Sequence, residues 1–204
     1  MTGRLRHWED VYGSKADDEV SWFQAKPERS LALIREAAPD RASAIIDIGA
    51  GTSTLTDTLL AEGYRDLAAL DISTTAIARL RDRLGEASDG IEMIVADITD
   101  WRPKRQWDTW HDRAVFHFLT NPAEQDAYIA ALSSALRPGG TAIVATFALD
   151  GSEKCSGLPV QRYSGATLAA RLGSGFRLMS ETPEEHVTPR GVVQKFMYAV
   201  LRRV

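Results

Sequence analysis

Cysteine is almost absent: Cys155 stands alone in 204 residues, which excludes an internal disulfide and a cysteine-cluster metal site. No metal centre is expected. Long apolar runs are missing too. Runs such as Ala44 to Ile46 and Ala142 to Ala145 fall far short of the ~20 residues that cross a bilayer. The stretch Met1-Thr2-Gly3-Arg4 has no apolar signal region, so a cytoplasmic protein with no membrane partner is expected. An excess of basic charge is also lacking. The net charge of −4 argues against a nucleic-acid partner, because neutralising phosphates needs a concentrated basic face. The one tight basic group, Arg102-Pro103-Lys104-Arg105, reads as a solvated turn.

What is present suits one ordinary α/β domain spanning residues 1–204, with enough apolar residues (44%) for a core covered on both faces. From Ala44 onward, short apolar runs alternate with helix-period segments, the pattern of strands joined by crossover helices. Ala44 to Ile48, Leu67 to Leu70, Ile91 to Ala96, Asp108 to Ala114 and Thr141 to Phe147 read as five strands. Ser73 is placed to cap one helix and Asn121-Pro122 to open another. Pro138-Gly139-Gly140 is expected to stop the latter. Phe176 to Ser180 and Val192 to Leu201 have strand character with no long helix between them, which suggests an antiparallel pair at a sheet edge. Residues 1–40 read as mainly helical, with Trp8, Val11, Tyr12, Trp22 and Phe23 as apolar anchors, and are expected to form a lid over the site.

The chemistry concentrates in Asp47-Ile48-Gly49-Ala50-Gly51-Thr52-Ser53, between a strand and a helix. Glycines there let the backbone turn sharply and approach a ligand that a Cβ would block. A dinucleotide fingerprint would place Gly or Ala where this chain has Thr54. Asp47, just before the loop, suits a cationic amino group and is unhelpful to a pyrophosphate. Asp71 and Asp97 fall at the carboxyl ends of the next two strands, where open α/β sheets place their ligands. Asp71 is suited to accept from two ribose hydroxyls with Ile72 against an adenine face, and Asp97 to accept from the adenine amino group with Ile98 giving a backbone contact. Any one of these aspartates also reads as a turn or helix cap; three in register are harder to dismiss.

These stretches, with Leu70-Asp71-Ile72 and Ala96-Asp97-Ile98, resemble the first three motifs of the class I, seven-stranded methyltransferases that use S-adenosylmethionine (SAM) and release S-adenosylhomocysteine. The resemblance covers about residues 40–204. It implies a Rossmann-like three-layer α/β/α sandwich, whose seven-stranded, mostly parallel sheet has the order 3-2-1-4-5-7-6 with the last strand antiparallel. It also implies SAM binding by Asp47, Gly49, Gly51, Thr52, Ser53, Asp71, Ile72, Asp97 and Ile98. Ser53 departs from the third glycine of many members.

The acceptor side is read from Trp110-His111-Asp112-Arg113-Ala114-Val115-Phe116-His117, at the end of strand four. Asp112-Arg113 resembles the thiopurine and thiol S-methyltransferase branch, and its position also matches the Asp-Lys-Gly-Thr pattern of the protein-lysine methyltransferase-like branch. Gly157-Leu158-Pro159-Val160 is loosely similar to a segment of the former, and His7 to Tyr12 with Val20 to Phe23 resemble a lid segment common to both.

In-line transfer from a sulfonium needs an unprotonated nucleophile held close to the methyl group. Arg113 is suited to lower the pKa of a thiol; His111, His117 or Asp112 is suited to deprotonate or orient an amine. His117, between two phenylalanines, reads equally as core, and Asp112 and Arg113 as a structural pair. Trp22, Phe23, Cys155 and His186 are further acceptor-side candidates, Cys155 also reading as a buried small residue and His186 as surface. The expected partner is a small-molecule acceptor, a thiol or related soft nucleophile. A protein lysine, a non-catalytic SAM-binding domain and a nicotinamide-dependent oxidoreductase are the alternatives.

Overall fold

The computed structural model describes residues 3–204; Met1 and Thr2, part of the stretch read for a signal region, lie outside them. Seven strands form one sheet in the order β3-β2-β1-β4-β5-β9-β8. The central strands are β1 (Ile45–Ile48), β2 (Leu67–Asp71), β3 (Ile91–Val95), β4 (Trp107–Arg113) and β5 (Leu136–Phe147). They run parallel. β9 (Val193–Arg203) pairs antiparallel with β5 and with the edge strand β8 (Phe176–Val187). With β8 and β9 as the sixth and seventh strands of the sheet, this is the expected order with the expected reversed strand.

β1 is buried along its whole length, because helices cover both faces of the sheet. With side chains alternating, Ile46, Ile48, Trp110 and Val144 face the layer of α5 (Pro122–Ala135) and α6 (Gly165–Leu172). Ile45, Leu67, Ile143, Phe147 and Phe196 face α2 (Glu28–Ala37) and α3 (Leu55–Ala61). Asp47, His111 and Arg113 have the parity of Ile45 and so lie on the α2 side, which determines their partners. α4 (Thr74–Leu84) begins where Ser73 accepts from the Ala76 N–H, and Asn121 caps α5 by accepting from Ala123 N with Pro122 following. Both starts match the sequence reading.

Three boundaries differ from expectation. α5 ends at Ala135, and Pro138-Gly139-Gly140 lies inside β5 at a break in the β4 register. Leu136 is fully buried and pairs with Trp107, so tertiary pairing begins the strand before the breaker residues. β8 continues to Val187 through Pro183, which an edge strand tolerates because one side of its backbone needs no ladder partner. The loop after β5 contains a short hairpin of β6 (Lys154–Cys155) and β7 (Leu158–Pro159). N-terminal to the sheet stand α1 (Gly3–Ser14) and α2. No helix among the described residues is long and apolar enough to cross a membrane.

Candidate active site

The turn after β1 places Gly49 and Gly51 at φ +65° and +52°, where a side chain is strained. A Cβ at Gly49 would collide with the Val115 side chain, and one at Gly51 with the Tyr12 hydroxyl. The turn is therefore closed over by β4's end and by α1. Ala114, between Arg113 and Val115, holds φ +75°, a strained value for alanine of the kind that persists where surrounding contacts enforce it. Its N–H donates to the Ala145 carbonyl at 2.9 Å.

Asp71 ties β2 to this turn. Its Oδ2 accepts from Gly51 N at 2.9 Å and its Oδ1 from Ser73 N at 2.8 Å, so each oxygen keeps lone-pair capacity for a ligand hydroxyl. Burial pushes its pKa up to about 6 against the lowering effect of those two N–H donors. Asp97 accepts from Thr99 N (3.0 Å) and Thr99 Oγ1 (2.7 Å) and pairs with Arg4 of α1 at 3.2 Å. Arg4 also bridges to Glu124.

α1 lies across this end of the sheet. The Glu9 carboxylate accepts from Thr74 N and Thr75 Oγ1, each at 2.6 Å, placing negative charge where the α4 dipole favours it. Trp8 packs against Tyr12, Trp22 and Phe118. Beneath this cover run two adjoining lobes of a cleft, of about 710 and 540 Å³ including space open to solvent. Gly49, Trp22 and Arg113 border both lobes.

The cleft gathers most of the residues singled out in the sequence. Asp71, Ile72, Asp97, Ile98 and Cys155 line the first lobe, and Asp47, Thr52, Ser53 and Phe23 the second. Gly51 forms the turn between Asp47 and Asp71. Cys155 is held as a thiol, since burial pushes its pKa up to about 11 despite the nearby Arg113 charge. Arg113 donates from Nε to Tyr198 Oη (3.0 Å) and from Nη1 to the Trp22 carbonyl (3.1 Å), with Glu184 at 3.8 Å. Its Nη2 is buried without a hydrogen-bond partner.

Besides Gly51, three candidates border neither lobe. Asp112 is fully buried and caps the turn that follows it: its carboxylate accepts from Val115 N (2.8 Å), Phe116 N (3.1 Å) and Tyr128 Oη (2.6 Å). His117 is fully buried edge-on to Phe118 and Phe147. Burial and the Arg113 charge pull its pKa down to about 3, so it is neutral and core. His186 donates to the Ser21 carbonyl at 2.8 Å and anchors the segment leading to Trp22. Conversely, Arg4, Ser30, Glu184 and Tyr198 entered the site unannounced, because their partners lie far away in sequence. Among the described residues no cluster of side chains is arranged to hold a metal ion.

Residues 45–140 match a protein family described as a methyltransferase domain. A curated relative, malonyl-[acyl-carrier protein] O-methyltransferase 2 of Ilyobacter polytropus, is 27% identical over 139 residues, 68% of this chain and 52% of the relative. The chain thus spans about half the length of that relative. Among solved structures, a protein described by the conversion of a disulfide bond into a thioacetal group during echinomycin biosynthesis superposes with TM-score 0.79 at 23% identity, covering 98% of this chain and 93% of its own. The 1,6-didemethyltoxoflavin-N1-methyltransferase of Burkholderia thailandensis, solved with 1,6-didemethyltoxoflavin and S-adenosylhomocysteine bound, gives 0.69 at 19% identity over 98% of this chain and 84% of its own. Over residues 45–140 the chain is thus similar to a methyltransferase domain, and its sheet has the seven-stranded, Rossmann-like fold of the class I SAM-dependent methyltransferases.

Proposed function

We propose that the protein is a SAM-dependent methyltransferase acting on a small nucleophile, with thiols or related soft acceptors preferred. The observation that carries this reading is the alignment of three acids, Asp47, Asp71 and Asp97, along one cleft that opens over Gly49. Asp47 would hold the cationic amino end of SAM, Asp71 the two ribose hydroxyls and Asp97 the adenine amino group, with Ile72 against the ring and Ile98 giving a backbone contact. The residues fit this group, because Asp71 retains two free lone-pair positions and the turn between β1 and α3 presents bare backbone. The toxoflavin-type structural neighbour, named for a small-molecule acceptor, supports a small acceptor, and the malonyl methyltransferase relative is named for a small group borne on a carrier protein.

When bound, SAM supplies an electrophilic methyl group on a sulfonium. The chain's own residues bind, orient and exclude water. α1 and the segment to residue 40 act as the lid, with Trp8 and Trp22 walling the cleft. Arg113, bordering both lobes, supplies positive charge that favours an ionised acceptor such as a thiolate. Asp112 and His117 take no part in proton transfer in this scheme; in-line displacement of a sulfonium needs proximity and alignment more than a strong base.

Arg113→Ala is expected to slow turnover about a hundredfold, the scale seen when one preorganised charge is removed, and to leave SAM affinity within about threefold. Arg113→Lys should recover part of the rate. A normal rate in the alanine variant would move the acceptor site elsewhere. The acceptor itself is found by a transfer screen with labelled SAM against thiols, amines, carboxylates and whole-cell lysate. Label entering a small thiol is the expected result; label entering protein alone would replace the small-molecule assignment with a protein acceptor.

A further inference from the structure

Among the described residues Asp47 has one side-chain hydrogen-bond partner, and that partner is itself held. His111 Nδ1 lies 2.7 Å from Asp47 Oδ1, and His111 Nε2 lies 2.8 Å from Ser30 Oγ. All three groups are buried: Asp47 is 5%, His111 3% and Ser30 0% exposed. The sheet register places His111 directly beside Asp47, and both face the N-terminal turn of α2, which carries Ser30.

Valence decides the direction of the bond to Asp47. An ionised carboxylate only accepts, so His111 Nδ1 carries the proton it shares with Asp47. Nε2, the other ring nitrogen, then shares a hydrogen bond with the Ser30 hydroxyl, which can donate or accept. On the far side Tyr198 Oη, 3.4 Å from Ser30 Oγ, receives Arg113 Nε–H at 3.0 Å and faces Glu184 at 3.3 Å. The array spans α2, β1, β4, β9 and β8 on one face of the sheet. Asp47, His111, Ser30 and Arg113 all border the second lobe.

We infer that His111 is a positioning residue for the donor: it fixes the Asp47 carboxylate so that the oxygen left free receives the amino end of SAM, and Ser30 locks the ring in the orientation that does so. This inference rests on the SAM reading above. The Asp-His-Ser distances also match those of a nucleophilic triad, but Ser30 has no exposed surface from which to attack a substrate, so it is not the nucleophile here. Without His111 the Asp47 side chain loses the hydrogen bond that orders it in a buried setting, where partly satisfied polar networks are costly.

The test compares two ligands by calorimetry: S-adenosylhomocysteine, which carries the amino-acid end, and methylthioadenosine, which lacks it. His111→Leu should weaken S-adenosylhomocysteine about tenfold, the scale of one hydrogen bond to a charged group, and leave methylthioadenosine within about twofold. In an Asp47→Asn background the same substitution should add nothing, because its effect passes through Asp47. Ser30→Ala, which removes only a hydroxyl, should reproduce the ligand selectivity with a smaller loss and serves if His111→Leu does not fold. Equal losses for both ligands, no loss for either, or losses that multiply in the double variant would overturn the assignment. Failure of the parent protein to bind either ligand would overturn the SAM reading and this inference with it, a result distinct from the other three.

Discussion

Asp71→Ala should lose SAM affinity by about a hundredfold or more, the largest effect on the cofactor expected from any single residue in the cleft. Two hydroxyl donors meeting one buried carboxylate are worth about 1.5–3 kcal/mol each, and ~1.4 kcal/mol is a factor of ten. The substitution also strands Gly51 N and Ser73 N, which now share Asp71, and so loosens the turn over which the ligand lies. Circular dichroism separates a folded protein with a damaged site from a failed fold. The same residue sets a pH dependence. Burial holds Asp71 at about 6, and ligand hydroxyls donate more strongly to its ionised form, so binding is linked to loss of the Asp71 proton. Affinity should be level above about pH 7 and fall by up to about tenfold per unit below about pH 6. Titrations in which affinity is flat from about pH 5 to about pH 8, or an Asp71→Ala protein that binds normally, would reduce Asp71 to a helix and turn cap.

Asp112→Ala should cost about 3–5 kcal/mol of stability, a large share of the ~5–15 kcal/mol typical of a domain. Its carboxylate satisfies two backbone N–H groups and the Tyr128 hydroxyl, and each buried donor left unpaired costs about 1–3 kcal/mol. Tyr128 is fully buried and accepts in turn from Trp110 Nε1 at 2.9 Å, so the loss reaches the core between β4 and α5. The site is affected through the backbone: the turn that Asp112 caps carries Val115, which packs on Gly49. Urea unfolding at neutral pH measures this directly. A variant with unchanged midpoint and abolished turnover would instead make Asp112 a catalytic acid or base.

The sheet was legible because its signals are local. Ile45-Ile46-Asp47-Ile48 is short, apolar and flanked by glycine; Ser73 and Asn121 stand one residue before helix-period runs; and the absence of a long helix between the last two apolar stretches leaves an antiparallel pairing as the simple solution. The acids proposed for the donor half could be placed for the same reason, since each sits near a strand end whose place can be read from the strand. The acceptor half was not legible, because it depends on which face a strand-end residue meets. Asp112 and Arg113 are neighbours in sequence but point to opposite faces of β4, one into Tyr128 of α5 and the other toward Tyr198 of β9. Sequence treats them as a pair. The role of His111 was hidden in the same way: its partner Ser30 lies 81 positions away on α2, and nothing local to Ser30 marks it. Likewise Arg4 reads as an ordinary solvated residue until α1 brings it to Asp97.

The claim on which the rest depends is that this cleft is built for an adenosyl sulfonium and not for a dinucleotide. Calorimetric titration of the purified protein with SAM, S-adenosylhomocysteine and NAD tests it most directly. The account predicts micromolar binding of SAM and S-adenosylhomocysteine and no heat with NAD; binding of NAD without SAM would contradict it.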